Sequence, residues 1–102
     1  MAIVEVSVVP LGTGTTSVSQ YVARAAGVLP GEKDIKYELT AMGTIIEGDL
    51  EHLLTLVRKM HEAVFDAGIT RVVTTIKIDD RRDKISSMSS KMESLKRKLG
   101  HK

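Results

Sequence analysis

Glu38 and Glu47 are the residues of this chain best placed to do chemistry. They belong to the run Tyr37-Glu38-Leu39-Thr40-Ala41-Met42-Gly43-Thr44-Ile45-Ile46-Glu47-Gly48-Asp49, which alternates like a hairpin and turns at Ala41-Met42-Gly43. Strand positions favour apolar and β-branched residues. Acids embedded in adjacent strands therefore imply that one sheet face meets a polar ligand or a polar partner. Glu5, in a Val-rich run upstream, adds a third acid of the same kind. Burying an unpaired carboxylate is costly. A cationic, hydrogen-bonding ligand held between subunits would neutralise such a group. So would Lys36 or Lys77 across the strands, and exposure at a sheet edge would remove the need. These readings stand side by side at this point.

The other chemistry-bearing residues form no recognisable set. Pro10-Leu11-Gly12-Thr13-Gly14-Thr15-Thr16-Ser17 leads from a strand into a helix start, a geometry that can collect an anion. It lacks the third glycine of a dinucleotide fingerprint and the Gly-Lys-Ser/Thr of a P-loop. A tight turn with a cap is the plainer reading, with Thr16 placed at a pocket rim. His52, His61 and His101 have no ligand spacing with a third donor. Asp79, Asp80 and Asp83 miss the calcium-loop pattern and read as complements to a helix dipole. Ser7 has no histidine beside it in the sheet, so no nucleophile–base–orienter set can be assembled. Without cysteine, disulfides, thiolate metal sites and a Cys nucleophile are excluded. No catalytic residue, metal ligand or cofactor is expected. Glu5, Ser7, Thr16, Met42 and Gly43 are candidates for ligand binding on geometry, Met42 because a hairpin tip exposes it unless something covers it.

These residues need a scaffold, and 102 residues make one domain with a modest core. Aromatic content is 3%, so the core is built from Val, Ile, Leu, Ala and Met, and stacking platforms for single-stranded nucleic acid are lacking. No apolar segment approaches the ~18 residues of a membrane span. The amino terminus lacks the pattern of a secretory leader, so a soluble, cytoplasmic protein is expected. Charge is split along the chain. Residues 1–80 hold seven Lys or Arg against eleven Asp or Glu, net −4, while residues 81–102 hold eight bases against two acids, net +6. Two placements suit the basic tail: on nucleic acid or an acidic membrane surface, or against the acidic body of a neighbouring subunit.

Alternation predicts strands at 2–9, 35–40, 44–48 and 70–78, with Pro10 ending the first because it has no N–H to donate. Ser17 and Gln20 form a capping-box pattern for a first helix running to about Leu29. Asp49 is a natural N-cap for a second helix, closed by Gly68. Ile85, Met88, Met92, Leu95 and Leu99 stripe a third. The predicted fold is α+β: a ferredoxin-like βαββαβ antiparallel sheet with an additional C-terminal helix. Residues 1–80 would form the ligand-binding domain and residues 81–102 a basic helix packing across subunits. The sheet face away from the first two helices is too apolar to leave in water, and the third helix carries a narrow seam for one partner. A homo-oligomer explains both features. A third helix folded back over its own sheet explains them as well.

Three segments in order carry a family resemblance: Val-x-Pro-Leu-Gly-Thr after the first strand, Lys36 to Gly48 in the hairpin, and Thr-Thr-Ile-Lys-Ile-Asp-Asp-Arg-Arg-Asp at 74–83. Together they closely resemble the small thiamine-binding protein family, over nearly the whole chain except residues 84–102. The resemblance implies a ferredoxin-like fold, dimers joined through sheets into a homotetramer, and non-catalytic binding of thiamine or its hydroxymethylpyrimidine part. It carries over Tyr37, Glu38, Thr44 and Glu47, which stand where the hairpin motif has them. An aminopyrimidine offers donors and acceptors that a carboxylate and hydroxyls can read, and the thiazolium carries a fixed positive charge. Thiamine would be a ligand rather than a cofactor, bound for storage, sensing or delivery. The alternative is a regulatory or structural homo-oligomeric assembly protein with no small-molecule ligand, its sheet acids paired with Lys77. Nucleic-acid binding through the tail is a third reading and would be steeply salt-dependent.

Overall fold

Strict alternation of small and β-branched apolar residues from Ala2 makes a nine-residue strand, β1 (Ala2–Pro10). It is followed by α1 (Ser19–Ala26), β2 (Lys36–Leu39), β3 (Thr44–Gly48), α2 (Leu50–Phe65), β4 (Val72–Asp80) and α3 (Met88–Leu99). The computed structural model describes residues 1–14, 18–65, 68–83 and 88–100. The four strands form one antiparallel sheet in the order β2-β3-β1-β4, so the first strand lies in the interior and β2 and β4 are the edges. The result is an α+β fold with three helices, the last C-terminal.

Register assigns every strand residue to a face. Ala2, Val4, Val6 and Val8 of β1 and Ile46 of β3 point to one side. There they join Ala25 and Leu29 from α1 and its trailing turn, and Leu53, Leu56, Val57, Met60 and Val64 from α2, in a single core. Burying each Val, Leu, Ile or Met among them contributes about 1.5–3 kcal/mol. Both helices thus cover the same face. Cover thins at the edges of the sheet, where Tyr37, Leu39, Ile76 and Ile78 stay substantially exposed.

The opposite face carries one row of side chains after another. Asp79, Ile3, Glu47 and Lys36 are aligned across β4, β1, β3 and β2, and Lys77, Glu5, Ile45 and Glu38 make the next row. Two attachments tie helix α3 to the sheet. Lys91 is ion-paired with Asp79 at one edge, and Met88, Ser89, Met92, Glu93 and Lys96 border a groove of about 480 Å³ with Lys36, Tyr37 and Glu38 at the other. None of its described residues is buried, and Met92, Leu95 and Leu99 remain about half exposed.

Several local expectations are corrected. Helix α1 begins at Ser19 with Val18 at the N-cap and no side-chain cap. Ser17, the expected cap, lies outside the described residues, as do Thr16 and Ile85. Strand β4 is shifted two residues toward the C-terminus, which carries Asp79 and Asp80 into the sheet. They do not complement a helix dipole, because α3 has no acid in its first turn. Instead Asp80 pairs with Arg82 at 2.9 Å, Asp83 with Arg81 at 2.6 Å, and Asp79 with Lys91. The two arginine pKa values are raised above their ordinary level, chiefly by these side-chain hydrogen bonds. His61 hydrogen-bonds Thr74 at 2.6 Å and meets the Phe65 ring edge-on at 5.1 Å. Asp49 caps α2 as expected, its carboxylate accepting from the His52 N–H at 3.4 Å. Gly68 has φ +84°, the left-handed conformation that glycine adopts after a helix end.

Candidate functional site

The hairpin tip is tied together by one residue absent from the expected set, Thr40. Its N–H donates to the Gly43 carbonyl at 2.9 Å, and its hydroxyl donates to the same oxygen at 2.7 Å. That hydroxyl also accepts from the Met42 and Gly43 N–H groups at 3.2 and 3.1 Å. A threonine placed three residues before a turn glycine is the signal that would have found it. Gly43 is required by space: a Cβ there would stand 2.9 Å from the Val6 carbonyl oxygen in the adjacent strand. The lock projects Met42 outward, 84% exposed.

Beneath the tip, on the helix side, lies a cleft of about 230 Å³. Met42, Gly43, Thr44 and Ser7 border it together with Thr40, and Val6, Val8, Val18, Val22, Ala25 and Met60 supply apolar walls. Four of the expected residues are therefore brought together here: Ser7, Met42, Gly43 and Thr44. Such a surface can take a flat, mostly apolar ring and offer hydroxyls to its polar edge.

The three acids share the other face, and their surroundings differ. Glu5 is opposite Lys77 in register and pairs with it at 3.8 Å, both groups in contact with solvent. An exposed pair of this kind is worth at most about 1 kcal/mol. Glu38 is exposed on the edge strand and borders the groove under α3 with Tyr37. Glu47 alone is buried, at 3% exposure. It is aligned with Lys36, yet among the described residues its carboxylate makes no ion pair or hydrogen bond. No buried side-chain oxygen in the described residues is both sealed from solvent and unpartnered, so the Glu47 carboxylate keeps a narrow opening. A negative group in that setting attracts a cation that can reach it. Tyr37 belongs by register to the helix-side face, opposite to Glu38. Of the nine expected residues, Ser7, Met42, Gly43 and Thr44 gather at the cleft, Glu5, Glu38 and Glu47 share the acidic face behind it, Tyr37 stands on the helix side of the edge strand, and Thr16 lies outside the described residues. Among the described residues no cluster of three or more His, Asp or Glu could hold a metal ion, and no helix is long and apolar enough to cross a membrane.

Sheet order, helix placement and site together define a small α+β protein with acids set into an antiparallel sheet. Residues 4–96 match the model of the thiamine-binding protein family, and the chain belongs to that family. It is 49% identical to the UPF0045 protein YqgV of Bacillus subtilis, over 97% of this chain and 98% of the relative. A crystal structure from Methanocaldococcus jannaschii superposes with a TM-score of 0.84 at 40% identity, covering 92% of this chain and 94% of that one. A domain of unknown function from Bacillus cereus gives a TM-score of 0.78 at 33% identity, covering 88% and 85%. None of these descriptions names a catalytic activity.

Proposed function

We propose that this protein binds thiamine or its hydroxymethylpyrimidine moiety without transforming it, in the cytoplasm, for storage, sensing or delivery. The observation that carries the reading is Glu47, a carboxylate buried within the sheet and left without a partner among the described residues. A thiazolium or a protonated aminopyrimidine supplies the missing charge, and family membership narrows the choice of cation. The hydroxyl-rimmed cleft at the hairpin tip offers a second surface for a ring, on the far side of the same sheet. The two surfaces belong to opposite faces, so one ligand does not span both within a single chain. The strand and helix order supports a ferredoxin-like architecture. In this reading the exposed seam Met92–Leu95–Leu99 seats on another copy in a tetramer built from dimers.

Isothermal calorimetry with thiamine tests the proposal. Glu47→Gln keeps shape and removes charge. It is expected to weaken binding about 10- to 100-fold, the range for a hydrogen bond to a charged group. Equal affinity for the variant would remove Glu47 from the site. One observation favours the alternative, an assembly protein without ligand: Lys77 already neutralises Glu5. Absence of any heat with thiamine or the pyrimidine would turn the balance to it.

A further inference from the structure

We infer that the cleft under the hairpin tip is a separate site, built for a single uncharged ring that presents a hydrogen-bonding group to Thr44. Thr44 is 4% exposed, and its register with Val6 sets it on the helix side, where it borders the cleft. Its hydroxyl makes no hydrogen bond among the described residues. Nor is that hydroxyl sealed off, since no buried side-chain oxygen there is both closed to solvent and unpartnered. The neighbouring Thr40 hydroxyl, by contrast, is fully used within the turn. A buried hydroxyl in this state costs free energy until a ligand hydrogen-bonds it.

The rest of the lining defines that ligand. Among the described residues, none that borders the cleft is charged. Val6, Val8, Ala25 and Met60 are buried wall residues, and Val22 is an exposed one. A cation entering here would shed water with no counter-charge to receive it. An uncharged ring gains apolar burial instead. At about 230 Å³ the space falls below the ~300–1,000 Å³ of pockets that enclose drug-sized molecules, so it takes one ring rather than two joined ones. Met42 stands exposed at the rim, and its flexible thioether can close on the face of a ring. The two faces of the sheet thus differ in the charge they admit. This inference concerns the helix side alone and stands whether or not Glu47 binds thiamine.

Nuclear magnetic resonance on the isotope-labelled full chain tests it with two probes of nearly one shape, pyridinemethanol and its N-methylated cation. In mildly alkaline buffer the first is uncharged. It is expected to shift the signals of Val22, Ala25 and Met60, which lie on the helix side, in a saturable way. The cation should act on the same signals about ten-fold more weakly or not at all. Thr44→Val keeps shape and removes the hydroxyl. It should weaken the uncharged probe about three- to ten-fold, the range for one neutral hydrogen bond. Glu47→Gln should leave that affinity unchanged, so failure of the cation site and failure of this one give different results. No response to the uncharged probe, equal affinity for both probes, or full affinity in Thr44→Val overturns the proposal. If Thr44→Val does not fold, Val22→Phe at the exposed wall fills the cleft and should abolish the Ala25 and Met60 shifts; shifts that persist in that variant overturn the proposal as well.

Discussion

Glu47 shows what a single residue's neighbours decide. As a carboxylate in an interior strand its need for a partner was legible from sequence alone, together with the two lysines able to meet it. Which acid would be neutralised was not legible, because that depends on register. Lys77 is set opposite Glu5, while Lys36 is set opposite Glu47 and makes no ion pair with it. A carboxylate in that position is a local liability in the ligand-free protein. Glu47→Gln is therefore expected to raise ligand-free stability by about 1 kcal/mol, or roughly 4–8 °C in Tm for a domain of this size. Thermal unfolding followed by circular dichroism reads the difference. A lower Tm would mean that the negative charge is stabilised in the folded state.

At the scale of elements, strand and helix types follow from periodicity, and departures occur where local signals compete. The hairpin forms within a residue of expectation because alternation and the Thr40-to-Gly43 turn agree. Strand β4 moves because pairing with β1 runs the full length from Val72 to Asp80, which outweighs the weak strand preference of aspartate. Thr40 escaped notice because its role lies in hydrogen bonds to its own turn rather than in charge or apolar pattern. The division of the site between two faces was likewise hidden, since it rests on which hairpin residues alternate up or down. Gly43 is the sharpest test of the tip. Gly43→Ala pushes a methyl group against the Val6 carbonyl, a backbone atom that cannot rotate away. A loss of about 1–3 kcal/mol is expected, seen as a lower urea midpoint at unchanged slope. An unmoved midpoint would show that the tip yields without disturbing the sheet.

Over the whole molecule, a core of small aliphatic side chains supports one covered face and one partly covered face. The length and residue content of the chain made the covered face predictable, since two amphipathic helices must hide their stripes somewhere. Where the third helix settles was open to two answers. Its first turns attach to its own sheet, while Leu95 and Leu99 stay at least half exposed. The β4 rim has a consequence of another kind. Nine residues long and outermost in the sheet, it shows Val73, Ile76 and Ile78 at 43–47% exposure. Such a rim can template further strands of its own kind. Concentrated stocks are expected to ripen slowly into dye-binding fibrils, and Ile76→Lys should lengthen the lag before they appear. The cell thus has a reason to keep this rim occupied that is independent of any vitamin.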